Sequence, residues 1–461
     1  MNGKVSSVVI VGGGIAGLGA AFALQEAGLK VTVLEAEAQV GGRMRSQQWA
    51  GEWIDLGAEF IADTDLGIFA PVLARLGIAQ ELTYLPDETV GFNIWRDGQG
   101  WPLEFTNPAS FLRFGGMSWW GKLHLLRLLP AMLRQLRRTQ AGHNFEPWQA
   151  AWLDDRSLAD WLLPGGWELL EYALEPTFDL YTGYTPENFS RAMFAYVMTS
   201  YRDTKLFTFP QGVGYVTQKL AARLNVLNSA PVRRVEVEAA GVRVYLERYG
   251  LPLEIRADYV IMAVPGSKVA ALLAGLDNVR AEFFNQVRYV PHAVQYYETS
   301  ADPHIPSVFF PRLEDECLSA LGYDRLSTNP ERRFLRVSFK SAYKSQVIGL
   351  SEDDFLAAGL REAVRHFPHL AGLLTSETCA AAGQWQAGLP EFRPGYLRTL
   401  AHFQSLPPLP RLGFAGDYLA GPSTGAAYTS GLRAAVAALR QISPERLEHI
   451  QPLLHPDYVT L

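Results

Sequence analysis

Residues 8–46 read VVIVGGGIAGLGAAFALQEAGLKVTVLEAEAQVGGRMRS and decide the fold. In this stretch an apolar strand leads through a glycine turn into a helix, and a second apolar strand then ends in an acid. Gly12 permits the tight turn, Gly14 lets the backbone approach a pyrophosphate, and Gly17 lets the helix pack close against the strand. Glu35 stands where a carboxylate accepts hydrogen bonds from a ribose. The order predicts a Rossmann-like dinucleotide unit with the phosphates at the helix N-terminus.

A second glycine turn indicates which dinucleotide is bound. Gly41, Gly42 and Arg43 follow the ribose acid after five residues, and a serine comes three residues after the arginine. This arrangement resembles the FAD-binding N-terminus of the flavin amine oxidase superfamily, which includes monoamine and polyamine oxidases, protoporphyrinogen oxidases and phytoene-type desaturases. The planar cation of Arg43 suits a pyrophosphate. The resemblance therefore implies FAD as the cofactor.

Two segments resemble the parts of this superfamily that border the flavin ring. Residues 55–60, DLGAEF, resemble the segment that passes the ring, where small residues let the backbone come close. Residues 411–417, RLGFAGD, end in an aspartate that in the family holds the ribityl chain or a phosphate. Residues 423–431, STGAAYTSG, open a helix whose N-terminal amides in the family face the flavin N1/C2=O edge.

A middle segment completes the resemblance, which covers residues 8 to about 440. Residues 208–236 resemble a glycine turn, a short helix and a strand, and the residue equivalent to Val232 brackets adenine through its backbone in the family. The resemblance implies that the following residues contact FAD: Gly12, Gly14, Ile15, Ala16, Gly17, Glu35, Ala36, Gly42, Arg43, Gly57, Ala58, Glu59, Val232, Ala263, Trp385, Gly416, Asp417, Thr424, Gly425 and Ala427.

The predicted fold class is α/β, with a Rossmann-like FAD-binding domain interleaved with an α+β substrate domain built on a mixed sheet. The three cofactor pieces place residues 1–80, 205–290 and 405–461 in the FAD domain, and residues 81–204 and 291–404 in the substrate domain. Within the substrate domain the apolar spacing predicts helices over 156–172 and 191–199, and strands at 294–298 and 334–339.

Composition agrees with a two-domain enzyme. The chain has 461 residues, of which 48% are hydrophobic and 19% charged, so it can bury a large core. The net charge, 41 − 47 = −6, argues against nucleic acid as a partner. The two cysteines, Cys317 and Cys379, lack metal-ligand spacing and are interpreted as reduced thiols, so no metal is expected. The start of the chain leaves no room for a signal peptide before the first strand, which favours a cytoplasmic location.

Several departures from the amine-oxidising members narrow the expected activity. Monoamine oxidases attach FAD to a cysteine and flank the amine with two tyrosines; aligned by hand, Ala387 and Gly388 take the cysteine and first tyrosine positions, and Ser423 takes the second. His292 stands where those members keep a lysine near flavin N5. The resemblance therefore implies non-covalent FAD and favours the desaturase and protoporphyrinogen-oxidase side.

Three residues are candidates for catalysis. Glu59 and His292 could each act as a base, because burial raises the pKa of a carboxylate and imidazole titrates near neutrality. The alternatives are an exposed or salt-bridged glutamate and a satisfied histidine at a strand end. Trp385 matches a segment that lies over the flavin in the family, and its alternative is core packing.

Residues 110–139 carry leucines near helical spacing, interleaved arginines and lysine, and two tryptophans. The region could lie on an anionic membrane surface and admit a lipophilic substrate, and it resembles the same region of protoporphyrinogen oxidases. The alternative is a substrate-domain helix whose leucines face the core. A peripheral membrane location is thus left open beside the cytoplasmic one.

The expected function is that of an FAD-dependent oxidoreductase that removes hydride from a C–H bond of a largely apolar or conjugated substrate. Its partners would be a small, lipophilic substrate and O2 or a quinone as the electron acceptor. Two alternatives remain open at this point. One is an amine or amino-acid oxidase with an atypical pocket, and the other is a redox-inactive flavin-binding scaffold.

Overall fold

The computed structural model describes the chain in segments. These are residues 6–85, 92–103, 108–124, 126, 130, 151–163, 165–200, 205–299, 307–323 and 333–455. Helices span Ile15–Glu26, Asp63–Leu76, Pro108–Arg113, Leu158–Leu162, Trp167–Leu169, Glu175–Thr182, Arg191–Ser200, Gly214–Ala221, Gly266–Leu272, Asn278–Gln286, Ser341–Val347, Glu352–His366, Tyr396–Ser405, Thr424–Ile442 and Leu447–Ile450, with a π-helical turn at Leu170–Leu174. Short 3-10 turns lie at Ala79–Glu81, Pro368–Gly372, Asp417–Leu419, Pro444–Arg446 and Gln451–Leu453.

A parallel sheet of five strands, here called the nucleotide sheet, confirms the Rossmann-like expectation. Its strands are largely buried and consist mostly of Val, Ile, Leu and Met, which is typical of a parallel sheet covered on both faces. In spatial order they are Val226–Leu227, Lys30–Leu34, Ser7–Val11, Tyr259–Met262 and Leu412–Phe414. The three cofactor pieces of the sequence each supply strands to this one sheet.

Two helices pack closely on each other beside the nucleotide sheet, namely the first helix, Ile15–Glu26, and the C-terminal helix, Thr424–Ile442. A Cβ at Gly431 would overlap the carbonyl oxygen of Ala16, so only glycine allows the two backbones to approach this far. This contact places the N-terminus of the C-terminal helix near the glycine turn of the first strand.

The largest sheet has seven strands and is mixed; it is here called the substrate sheet. In spatial order its strands are Cys379–Pro390, Tyr289–Thr299, Arg333–Phe339, Leu318–Tyr323, Val308–Phe309, Phe92–Arg96 and Gln99–Leu103. All neighbours are antiparallel except Val308–Phe309 with Phe92–Arg96. The α/β fold with a mixed second sheet is therefore confirmed, whereas the exact domain boundaries stay predictions.

Three smaller sheets complete the described strands. They consist of Leu251–Ala257, Gly241–Arg248, Val232–Glu238 and Leu273–Ala274; of Ser46–Trp49 and Glu52–Asp55; and of Ile61–Ala62, Leu206–Thr208 and Thr83–Leu85. Within the described residues, no helix is both long enough and apolar enough to cross a bilayer.

The single helix predicted over 156–172 is wrong. The structure instead has a helix at Leu158–Leu162, a break, and a second helical run that starts at Trp167. Gly165, with φ of +98°, lies in the break, and this left-handed conformation ends a helix. The helix predicted over 191–199 and the strands predicted at 294–298 and 334–339 are confirmed within longer elements.

Candidate functional site

The glycine turn after the first strand packs backbone against backbone. A Cβ at Gly12, where φ is +112°, would overlap the carbonyl oxygen of Ala263, and a Cβ at Gly17 would overlap the carbonyl oxygen of Gly12. Gly14 differs, because nothing lies within 4 Å of the position that its Cβ would take. The turn is thus closed on the protein side and open in front of the first helix, which is the shape that a pyrophosphate requires.

Glu35 is buried at the end of its strand and already holds two backbone groups. Its carboxylate accepts hydrogen bonds from the amides of Gly13, at 2.7 Å, and of Glu37, at 2.8 Å. Its own carbonyl accepts from the amide of Ala230, two residues before Val232, at 2.8 Å. The segment expected at the adenine therefore lies beside the acid expected at the ribose, and the carboxylate oxygens keep lone pairs for hydroxyl donors.

Arg43 joins three distant parts of the chain. Its guanidinium donates to the carboxylate of Asp417 at 2.5 Å and to the carbonyl oxygen of Gly388 at 2.7 Å. The Asp417 side chain is 5% exposed and that of Arg43 is 30% exposed, so the cation keeps accessible surface. The arginine and the aspartate predicted to hold FAD thus lie together, and each neutralises the other.

The segment predicted to pass the flavin ring is fastened to the second glycine turn. The amide of Ala58 donates to the carbonyl oxygen of Arg43 at 2.9 Å, and a Cβ at Gly57 would overlap that same oxygen. Glycine is therefore required at position 57 by the contact between the two segments themselves.

Two buried polar residues that the sequence analysis missed fasten the middle segment. The Ser46 hydroxyl donates to the Asp55 carboxylate at 2.5 Å and accepts from the amide of Gly214 at 2.9 Å. The Asp55 carboxylate accepts from the amide of Val213 at 3.1 Å. Both residues lie within the quoted motifs, but their partners are more than 150 residues away, so motif spacing gave no signal for this role.

The N-terminus of the C-terminal helix is already occupied by the protein's own acceptors. The amide of Gly425 donates to the Asp65 carboxylate at 3.2 Å, and the amide of Ala426 donates to the Ser423 hydroxyl at 3.0 Å. The amide of Ala427 donates to the Ser423 carbonyl at 3.0 Å. Amides that were expected to face the flavin thus already have acceptors within the protein, and one of these acceptors, Asp65, lies outside every quoted motif.

His292 and Trp385 lie opposite each other on neighbouring strands of the substrate sheet. The His292 Nε2 is 3.0 Å from the carbonyl oxygen of Leu56, so this nitrogen carries the hydrogen and donates. Burial, with the nearby cations Lys344 and Arg336, lowers the pKa of His292 to about 3. The imidazole is therefore neutral at neutral pH and is a weak base.

Glu59 forms an ion pair with Arg336, a residue of the substrate sheet. Its carboxylate lies 2.7 Å from the guanidinium of Arg336, and the Tyr296 hydroxyl donates to it at 3.4 Å. The carboxylate is therefore held between a guanidinium and a phenol. The catalytic roles of Glu59, His292 and Trp385 stay predictions.

The remaining predicted cofactor residues lie around the same turns. Ile15 and Ala16 are buried at the start of the first helix, Ala36 is exposed just after Glu35, and Gly42 lies next to Gly14. Gly416 precedes Asp417, and its amide donates to the Ser430 hydroxyl at 2.8 Å. The residues present fit an FAD molecule that runs from the Glu35 strand end to the C-terminal helix.

Comparison with known proteins shows the family to which the chain belongs. The sequence profile of the flavin containing amine oxidoreductases matches residues 15–439. The chain belongs to this family. The flavin-containing monoamine oxidase AofH of Mycobacterium tuberculosis is 29% identical over 284 residues, which are 58% of each chain. Mitochondrial protoporphyrinogen oxidase of Nicotiana tabacum is 28% identical over 145 residues, 32% of this chain and 28% of the relative.

Solved structures of this family share the fold. Cyclohexylamine oxidase from Brevibacterium oxydans superposes with a TM-score of 0.70 at 19% identity, over 95% of this chain and all of that one. A protein described as a protoporphyrinogen oxidase from Exiguobacterium superposes with a TM-score of 0.72 at 18% identity and the same coverage. At these identities the likeness concerns the fold, and amine and porphyrinogen oxidases match this flavin amine oxidoreductase about equally well.

A substitution at Gly14 tests the open face of the turn. Because no atom lies within 4 Å of the added methyl group, Gly14→Ala should fold normally, yet the methyl group would occupy space needed by the pyrophosphate. We expect FAD affinity to fall about tenfold or more, with unchanged thermal unfolding of the FAD-free protein. Flavin absorbance after dialysis measures retention. Gly372→Ala, also without neighbours, is the matched control, and full FAD retention by Gly14→Ala would place the cofactor elsewhere.

The neutral imidazole of His292 predicts a defined acid sensitivity. Below pH 6.5 the unfolded chain binds a proton at this residue, whereas the folded chain does so only near pH 3, so stability is lost as the pH falls through this window. Linkage gives a loss of about 2 kcal/mol between pH 8 and pH 5.

We expect His292→Gln, whose amide can still donate to the Leu56 carbonyl, to lose about 2 kcal/mol less than the wild type between pH 8 and pH 5. Denaturant unfolding at the two pH values measures the difference. His449→Gln, at an exposed site, should behave as the wild type does. An equal acid loss in His292→Gln and the wild type would contradict the buried neutral imidazole.

Proposed function

We propose that this flavin amine oxidoreductase removes hydride from a C–H bond of a largely apolar or conjugated substrate, as a desaturase or a protoporphyrinogen oxidase does. FAD, held without a covalent bond, supplies the two-electron acceptor, and O2 or a quinone reoxidises it. The chain's own residues bind and orient both molecules and exclude water.

One observation carries the proposal: both positions expected to hold the tyrosines of an amine site are committed elsewhere. A Cβ at Gly388 would lie 2.7 Å from the carbonyl oxygen of Val290 and 2.9 Å from the Cβ of His292, so a side chain there has no room. The Ser423 hydroxyl caps the C-terminal helix. Gly388 and Ser423 therefore do not provide an aromatic pair that could bracket an amine nitrogen.

The surroundings of Trp385 also suit an apolar substrate. Trp385 packs against a cluster of buried residues that contribute no charge: Ile54, Leu56, Val294, Tyr296, Phe334, Ala380 and Ala381. The neutral ring of His292 lies 5.7 Å from that of Trp385, centroid to centroid. We propose that these two rings form a wall against water, with His292 positioning the Leu56 carbonyl rather than moving a proton.

Two other functions remain as outcomes of the test. An amine or amino-acid oxidase with an atypical pocket agrees with the monoamine oxidase relative. A redox-inactive flavin-binding scaffold would keep the same cofactor site and lack turnover.

Anaerobic reduction of the bound flavin distinguishes these functions. We expect a porphyrinogen or a conjugated carotenoid precursor to bleach the flavin absorbance in a stopped-flow experiment, and benzylamine and polyamines to have little effect. Acid precipitation should leave all FAD in the supernatant. Rapid bleaching by simple amines alone would establish the amine-oxidase alternative. A yellow protein that can be neither photoreduced nor reoxidised would establish the scaffold.

We further propose that the region 110–139 contacts an anionic membrane surface. Of the leucines there, Leu123 and Leu126 are exposed, and Trp119 and Trp120 are 75% and 73% exposed. Leu123 and Leu126 therefore do not face the core, in contrast to the alternative interpretation of this region. The predicted leucines and arginines from 127 to 129 and from 131 onward lie outside the described residues.

A neighbouring segment extends this apolar surface. The Ser118 hydroxyl donates to the Glu168 carboxylate at 2.6 Å, which brings this region next to the segment that carries the exposed Leu163 and Trp167. Residues 105–145 contain six Lys or Arg and no Asp or Glu. An exposed apolar surface next to a uniformly basic sequence is typical of interfacial binding to anionic lipid.

Vesicle sedimentation tests this contact. We expect the wild type to bind phosphatidylglycerol vesicles more strongly than phosphatidylcholine vesicles, and Trp119→Ser with Trp120→Ser to lower the affinity by about 1–3 kcal/mol through lost apolar burial. Tyr249→Ser, at an 80% exposed site, is the control. Equal sedimentation of the double variant and the wild type would exclude the tryptophans from any membrane contact.

A further inference from the structure

We propose that Asp65 sets the reduction potential of the bound FAD and takes up a proton when the ring is reduced. This inference rests on the proposed function, since it takes the flavin edge to lie at the amides of the C-terminal helix. It adds a residue that lies outside every motif quoted above and acts through the helix end rather than on the substrate.

Geometry puts a buried carboxylate at the N-terminus of the C-terminal helix, where a bound flavin would need positive potential. The Asp65 carboxylate is buried and accepts from the amide of Gly425 at 3.2 Å and from the Ser423 hydroxyl at 3.3 Å. The C-terminal helix has 19 residues, and its N-terminus carries a partial positive charge. An ionised Asp65 offsets that charge, so less of it remains to stabilise the negative charge that gathers at the flavin N1/C2=O edge on reduction.

Packing holds the carboxylate in this place. Asp65 lies in the first turn of the helix Asp63–Leu76. One turn further on, the Phe69 ring stacks on the Tyr428 ring of the C-terminal helix at 5.0 Å. The two helix starts therefore have a fixed relation, and Asp65 has little freedom to turn away from Gly425.

The same burial makes protonation accessible near neutral pH. Loss of solvent raises the pKa of Asp65 to about 6, against the lowering effect of the Gly425 and Ser423 hydrogen bonds, and the charge of Asp63 raises it further. Two other titratable groups stand around this helix start. Lys205 has its ammonium over the Tyr84 ring, and His455 lies beside Gly67.

The proton and electron balance follows from these contacts. A bound flavin that received a hydride would gain two electrons and one proton and would carry one additional negative charge. If that charge lay beside the helix N-terminus, it would raise the pKa of Asp65, and the carboxylate would take up a proton from solvent. Asp65 would release this proton again when the flavin was reoxidised. Two electrons are thus accompanied by two protons in the pH range just above 6, and by one proton where Asp65 does not change its state.

Spectroelectrochemical titration of the holoenzyme between pH 5 and pH 9 tests the proposal. The slope of the FAD midpoint potential against pH should double above about pH 6 in the wild type. In Asp65→Asn the slope should stay single, and the potential at pH 8 should be higher. On anaerobic reduction with the same amount of the same reductant at pH 7, an indicator dye should report about one more proton taken up per flavin by the wild type than by Asp65→Asn.

Asp63→Asn is the matched control, because it removes a charge from the same helix turn without touching Gly425. It should keep the doubled slope and move its onset to lower pH. A wild-type slope that stays single overturns the proposal even if Asp65→Asn does not retain FAD. A wild-type protein that binds no FAD, or whose FAD takes no electrons, would instead refute the proposed function and this inference with it.

Discussion

Direct backbone contact at three glycines is the constraint on which the rest of the structure depends. Gly12 packs against the Ala263 carbonyl, Gly17 against the Gly12 carbonyl, and Gly431 against the Ala16 carbonyl, and none of these sites has room for a Cβ. These contacts bring the first strand, the first helix, the turn after Tyr259–Met262 and the C-terminal helix to one point. A side chain at any of them would separate elements that must all border the cofactor.

Local motifs predicted the elements but not the pairs that hold them together. The strand, turn, helix and acid of residues 8–46 were predictable because their contacts are short-range, as the Gly13 to Glu35 bond illustrates. The Asp65 to Gly425 bond spans 360 residues and the Glu59 to Arg336 pair spans 277, so no spacing encodes them.

The break in the helix predicted over 156–172 was, in contrast, present in the sequence. Residues 164–166 read Pro-Gly-Gly, which favours a turn. The apolar spacing continues on both sides, however, and by itself predicts one continuous helix. The interleaved domain arrangement was predictable only because each cofactor motif carries its own resemblance. A chain with weaker motifs would have shown two unrelated sheets and no reason to join residues 226–227 with 30–34.

Charge pairing around the substrate sheet bears on the substrate class. The ammonium of Lys340 lies 2.8 Å from the Glu175 carboxylate, both buried, and Arg312 and Arg336 hold Glu171 and Glu59. A cationic amine that entered this region would need a carboxylate to offset its lost hydration, and one of these three ion pairs would have to separate to provide it. A neutral, apolar substrate makes no such demand. The pairing is therefore a further argument for the proposed removal of hydride from an uncharged C–H donor, because an amine that arrives as a cation would have to lose its charge or separate an existing ion pair.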